Sequence, residues 1–273
     1  MIKFFRKIRQ NLLMEKNKPA SPAGRTGKYF KYAIGEIVLV VIGILIALSI
    51  NNWNEEKKSN KQIQFLLNNL VRSIEEDKAY LTQTEILQEF RSNSLSYVLN
   101  IAKNDFEQNS INKKPIPKHK KNNFWEGPYP DTLNMDFINR AIVWSGVHDK
   151  VIINKNILDE LKSTGLFSTI KNDSLKRSIN KYYSYVNSNF LIDDWNKDLA
   201  ISYRSFLRDN YGVLTMELYF KSNPLKFIQK NEPVQVRIYE MIGPARFRSN
   251  NASKAINLAK DVIREIEKYQ NLK

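Results

Sequence analysis

The sequence predicts an all-α protein: a single transmembrane helix followed by an extracytoplasmic, antiparallel helical bundle with two long helices. Three observations lead there. Residues Ala33 to Ile50 read AIGEIVLVVIGILIALSI, with Glu36 as the only charge. Ile63, Leu67, Leu70, Ile74 and Leu81 then set up a seven-residue rhythm in a stretch, Asn60 to Ala102, that holds neither proline nor glycine. Further stripes at helical spacing recur to the end of the chain.

The apolar run comes first. Its eighteen residues span about 27 Å at ~1.5 Å per residue, close to the ~30 Å of a bilayer's hydrocarbon core. Tyr29, Phe30 and Tyr32 precede it and Trp53 follows it, where interfacial rings belong. A buried helix of a soluble protein is the alternative, but the run lacks a polar stripe. A cleaved signal peptide is another, with Ala47-Leu48-Ser49 as the cleavage site. Against it, thirty-two residues with their own helical pattern precede the run. The sequence is therefore divided into a cytoplasmic tail and linker (1–32), a transmembrane helix (33–50) and a periplasmic helical domain (51–273).

Charge sets the direction. Nine basic residues, from Lys3 to Lys31, stand against the single Glu15 before the run, a net +8. After it, Lys57 and Lys58 are offset by Glu55 and Glu56. Loops retained in the cytoplasm are enriched in Lys and Arg, so the N-terminus is expected inside a bacterial inner membrane and the domain in the periplasm. Within the tail, Ile2, Phe5, Ile8 and Leu12 oppose Lys3, Arg6, Lys7 and Arg9. Such a segment either lies flat on an anionic leaflet or is a disordered basic tail that only sets topology. Pro19 to Gly24 reads as a linker.

Glu36 lies about one turn inside the run, where a carboxylate is costly unless it finds the interface or a partner. Either it sits at headgroup level near Lys28, Lys31 or Tyr32, or it faces another span. Gly43 and Ala47 form a small-x-x-x-small step, with Gly35 two turns earlier, which would let a second copy approach closely.

In the outer domain, Asn60 to Ala102 is one long helix, whose rhythm is interrupted at Asp77 and resumes out of phase at Leu87, Phe90, Tyr97, Val98 and Ile101. Asp105 to Pro130 is the main loop. Its Lys118, Lys120 and Lys121, with Trp125, form a candidate site for an anionic partner. The alternative is a solvated loop whose aromatics fold back onto the bundle. Asp131 is a cap for a helix through Trp144, with Leu133 on its apolar face. A short helix, Asn156 to Thr164, is closed by Gly165, and Leu166 to Ile170 turns the chain. Asn172 or Asp173 starts the second long helix, which runs to Asn210-Tyr211-Gly212. Pro224, Pro233 and Pro244 then break Val213 to Arg248 into short helices or strands. Asn250 or Asn251 caps a final helix carrying Ala255, Ile256, Ala259, Val262, Ile263, Ile266 and Tyr269.

Composition narrows the chemistry. The chain of 273 residues has 43 Lys and Arg against 28 Asp and Glu, a net +15, and no cysteine. Disulfides, thiol catalysis and cysteine-ligated zinc are excluded. His119 and His148 are the only histidines and show no ligand spacing. There is no glycine-rich phosphate loop and no G-x-S-x-G. Adjacent carboxylates such as Glu75-Glu76, Asp159-Glu160 and Asp193-Asp194 diverge by about 100° on a helix, so neither partner assists the other. No catalytic or metal residues are nominated, and no cofactor is expected.

Tyr29 to Glu55, YFKYAIGEIVLVVIGILIALSINNWNE, and the opening MIKFFRKIRQNLL resemble an uncharacterised family of single-pass membrane proteins common in Bacteroidota. Ser163 to Tyr183 carries a second stretch similar to that family, through Gly165-Leu166, Ile170, Asn172, Leu175, Ile179 and Tyr182-Tyr183. The resemblance implies a one-span anchor with a helical outer domain and no known activity. The expected role is non-enzymatic: a scaffold or accessory subunit for another envelope protein, with the span as a candidate homo-oligomer contact and no nucleic-acid partner. The alternative is a ligand-binding or sensory module, which would signal through a partner because the inner tail is short.

Overall fold

The computed structural model describes residues 22–103, 125, 128–192, 195–215 and 223–271. Every regular element among them is helical. The chain divides into two units, Met1–Lys61 and Gln62–Lys273.

The first unit contains the start of helix α1 (Pro22–Ala102). Proline at a first helical position leaves no bond unmade, because that N–H has no partner in any helix. The helix thus begins inside the expected linker. From Ala33 to Ile50 its residues are exposed, Gly35 alone being half-buried.

The second unit is built from the rest of α1, α2 (Met135–Ser145), α3 (Asn156–Ser163), α4 (Leu166–Thr169), α5 (Asp173–Val186), a π-helical turn (Asn187–Leu191), α6 (Trp195–Tyr211), α7 (Pro224–Lys230) and α8 (Glu232–Asn271). The rhythm read from the sequence is its first core seam: Ile63, Leu67, Leu70, Ile74 and Leu81 are all buried. Each such side chain contributes roughly 1.5–3 kcal/mol on leaving water.

Side-chain contacts set the directions. Gln270 donates to Asn68 at 2.8 Å, and the Ser249 hydroxyl donates to the Glu85 carbonyl at 3.1 Å, so α8 runs antiparallel to α1. Tyr185 donates to Asn251 at 2.9 Å, and Ser174 bonds Glu265, so α5 is antiparallel to α8 as well. The aromatic contact of Trp195 with Phe247 and the seating of Arg237 over Phe206 give α6 the same relation to α8.

Two apolar cores result. One joins the Ile63–Leu81 part of α1 to α3, α5 and the Ala252–Tyr269 part of α8. The other joins the Ile86–Ala102 part of α1 to α2, α6, α7 and the Val234–Met241 part of α8. Phe137 is the centre of the second, with Phe90, Tyr97, Trp125 and Tyr129 edge-on at 5.0–5.8 Å.

Several expectations need correction. The cap of α2 is Asn134, whose Oδ1 accepts from the Phe137 N–H at 3.0 Å; Leu133 lies before the helix and is exposed. The helix expected from Asn172 to Tyr211 is divided. Asn172 does cap α5, but the π-turn ends it, and α6 starts afresh at Trp195. The region from Pro233 onward is not broken. Pro233 sits at the second position of α8, and Pro244 lies inside it. Proline removes one backbone hydrogen bond from a helix interior, and here burial of Met241, Ala245 and Arg248 on either side holds the helix together. Asn251 bonds Tyr185 and Asn189 rather than capping. The second long helix is therefore α8. Gly165 is left-handed at φ 76°, as its closing position requires.

Candidate functional site

The surface of the first unit is set by its composition. The apolar window of α1 has a mean hydropathy of 2.8, and none of it is buried. An apolar helix this long with no protein cover has the length and composition to cross a membrane. Its polar side chains near the C-terminal end are satisfied locally. Ser49 donates to the Leu45 carbonyl at 2.8 Å, and Asn51 donates to Glu55 at 3.0 Å. Lys57 lies over the Trp53 ring, 5.0 Å from its centre.

Glu36, Gly43 and Ala47 are exposed on this helix, and Gly35 is half-buried against its own turns. A Cβ built at Gly35 or Gly43 would meet nothing within 4 Å. The faces around Glu36 and Ile37, and around Ile46 and Ile50, are open shallow depressions.

The other nominated residues separate. Lys3, Arg6, Lys7 and Arg9 lie outside the described residues, as do Lys118, Lys120 and Lys121. Trp125 is half-buried: its Nε1 donates to the Pro128 carbonyl at 3.0 Å, its ring packs on Phe137, and Arg140 sits over it at 5.9 Å. Among the described residues, no three His, Asp or Glu side chains are grouped to hold a metal ion.

Two buried polar clusters in the bundle were not nominated. The first centres on Asp77, which occupies a core position of α1 and is 2% exposed. It accepts from the Asn154 N–H and from the Tyr182 hydroxyl, both at 3.0 Å. Burial pushes its carboxyl up to about 6, against the two hydrogen bonds, with Glu76 adding to the rise. The same burial raises the Tyr182 and Tyr183 hydroxyls. Its break in the heptad rhythm was the sequence signal for this site.

The second cluster joins three elements. Arg248 of α8, 1% exposed, donates through Nε to both oxygens of Asp149, at 3.1 and 3.0 Å. Gln88 of α1 donates to the same carboxylate at 2.6 Å. Arg91 of α1 donates to Gln88 at 3.2 Å and to the Trp144 carbonyl at 3.2 Å. Burial lowers the Arg91 guanidinium to about 10, partly opposed by Asp149, so it stays charged at neutral pH. The Phe190 ring lies 5.1 Å from the Arg248 guanidinium. Asp149 and Arg248 are far apart in the chain, and no local pattern announces their meeting.

Comparison with known proteins adds one finding. A family model of unknown function (DUF6090) matches residues 36–123. The match begins in the apolar run and includes the first seam of the bundle, less than half of the chain. It supports membership of an uncharacterised family over that stretch. No curated protein and no solved structure matches the chain.

Proposed function

We propose that this chain is a single-pass protein of a bacterial inner membrane whose periplasmic bundle docks another envelope protein, as a scaffold or accessory subunit. The observation that carries the reading is the wholly exposed apolar run of α1. The basic residues before it argue for an inside N-terminus. Val236 and Tyr239, one turn apart on α8, are 52% and 70% exposed, an apolar surface that favours a protein partner. The role is proposed as non-enzymatic, since Asp77 and Asp149, the two buried carboxylates among the described residues, are both engaged in structural bonds.

Protease treatment of spheroplasts carrying a C-terminally tagged chain tests the topology. The tag is expected to be digested without detergent. Protection of the tag until the membrane is dissolved overturns the orientation. Crosslinking in intact cells, followed by affinity capture, tests the partner. A chain recovered only as itself, with no other envelope protein, overturns the docking role. The exposed Glu36, Gly43 and Ala47, with the half-buried Gly35, offer the span as a contact between two copies.

A further inference from the structure

Between the two cores lies a band marked by polar residues: among the described residues, each of the four paths of the chain from one core to the other carries a buried polar side chain. On α1 the crossing from Leu81 to Ile86 carries Thr84. Between Ile142 and Val151 lies Asp149. Between Phe190 and Tyr203 lies Asn196, and between Met241 and Ala252 on α8 lie Arg248 and Ser249. All of these are buried.

Two irregularities of the backbone fall at the same level. Gly243-Pro244 stands one turn before Arg248 in α8, where Pro244 cannot donate to the Glu240 carbonyl. The π-turn Asn187–Leu191 widens the helical ladder and carries Phe190, which touches Arg248. It is pinned from both sides, by Lys155 donating to Asn187 at 2.6 Å and Asn251 donating to Asn189 at 3.0 Å.

We propose that this band is a hinge built into the domain, about which the two cores move as separate bodies, with Asp149 and Arg248 as its clasp. Interdigitated apolar cores resist shear, because each displaced side chain opens a void. A polar layer behaves differently. Its groups exchange bonds with one another for bonds with water at a small net cost, so it opens before either core. A buried ion pair contributes little net stability over an apolar pair of the same volume, yet it defines one arrangement sharply. The proline, which leaves the Glu240 carbonyl without its helical donor, and the π-turn, whose ladder is widened, mark where α8 and the α5–α6 path cross the band. A partner bound to one half thereby gains a route to alter the other. This inference does not depend on the proposed docking role.

Hydrogen exchange of the full chain in lipid nanodiscs tests it. Amides of Asn187–Leu191 and of Ala245–Ser249 are expected to exchange roughly tenfold or more faster than those of Leu67–Ile74 and Leu95–Leu99, through an opening that spares both cores. Pro244→Ala restores the missing bond and is expected to slow the α8 amides of the band. Asp149→Leu with Arg248→Met fuses the cores and is expected to slow the band as a whole. If the double variant does not fold, Pro244→Ala carries the test alone. Equal exchange of band and cores in the wild type overturns the hinge, as does an unchanged band in Pro244→Ala. Independence from the docking role is checked by the wild-type pattern, which requires no partner.

Discussion

Helix α1 carries two apolar regions of similar residue types and opposite fates. Ile37, Val40, Leu45 and Ile50 are 57–62% exposed, whereas Ile63, Leu67, Leu70 and Ile74 are at most 1% exposed. The difference is pattern. In Ala33–Ile50 apolar residues occupy every face, the pattern of a helix surrounded on all sides by apolar material, and none of the run is covered by the bundle. In Ile63–Leu81 they occupy one stripe, and α5 and α8 cover it. Hydrophobicity alone therefore does not distinguish the buried seam from the exposed run; its angular distribution does.

The largest effect is expected from charging the exposed apolar run. Ile42→Lys with Ile46→Lys is expected to cost about 5–7 kcal/mol of insertion. Alkaline extraction of membranes should release the variant, while its domain still folds; retention in the pellet would show that the run is not a span. Next comes the bundle's own charge. Arg248→Met alone leaves Asp149 buried without its partner and is expected to destabilise the domain by about 3–5 kcal/mol. Chemical denaturation followed by tryptophan fluorescence measures it, and the double replacement with Asp149→Leu should recover most of the loss.

Matched truncations sharpen the comparison further. Leu67→Ala is expected to cost about 2–5 kcal/mol of domain stability. Leu45→Ala is expected to stay within about 0.5 kcal/mol on the same denaturation curve. Equal losses would mean that the exposed run is covered by protein after all.

Asp77 yields a pH-dependent effect. Its folded carboxyl titrates near 6, above the ordinary 3.8, so the native state binds the proton more tightly than the unfolded chain. The penalty is full above pH 6, falls as the pH drops toward 4, and is absent below both values. It is on the order of 3 kcal/mol. Asp77→Asn keeps an acceptor for the Asn154 N–H and removes this slope. The midpoint of thermal unfolding, followed from pH 4 to 7.5, should then rise at neutral pH and flatten. The smallest expected effect belongs to Gly43→Ile, which should weaken crosslinking between spans if two copies meet there, without changing domain stability.

The parts of the fold that were legible rest on local patterns. The seam from Ile63 to Leu81 follows from spacing, as do the stripe from Ala255 to Tyr269, the Asn172 cap and the Gly165 stop. Where a local signal competed with packing, packing won. Proline normally marks a break, yet Pro244 stays within α8, because the residues around it are buried on both cores and the band between them. Spacing pointed to Asp131 as the cap, but Asn134 takes that place, beside Tyr97, which donates to the Thr132 carbonyl and accepts from the Asn134 N–H. Trp125 read from the sequence either as part of a basic partner loop or as an aromatic folding back onto the bundle; it packs on Phe137, twelve residues later, as the second reading has it.

By itself the sequence determined the all-helical class, the apolar run, its basic leading flank and the absence of cysteine chemistry. These are properties of composition and of neighbours within a turn or two. Only the tertiary structure decided that Asp149 meets Arg248, that Asp77 is buried against Tyr182, and that the bundle holds two cores with a polar band between them. Such pairings join residues tens of positions apart. Their energies depend on desolvation and geometry that exist only once the helices have packed.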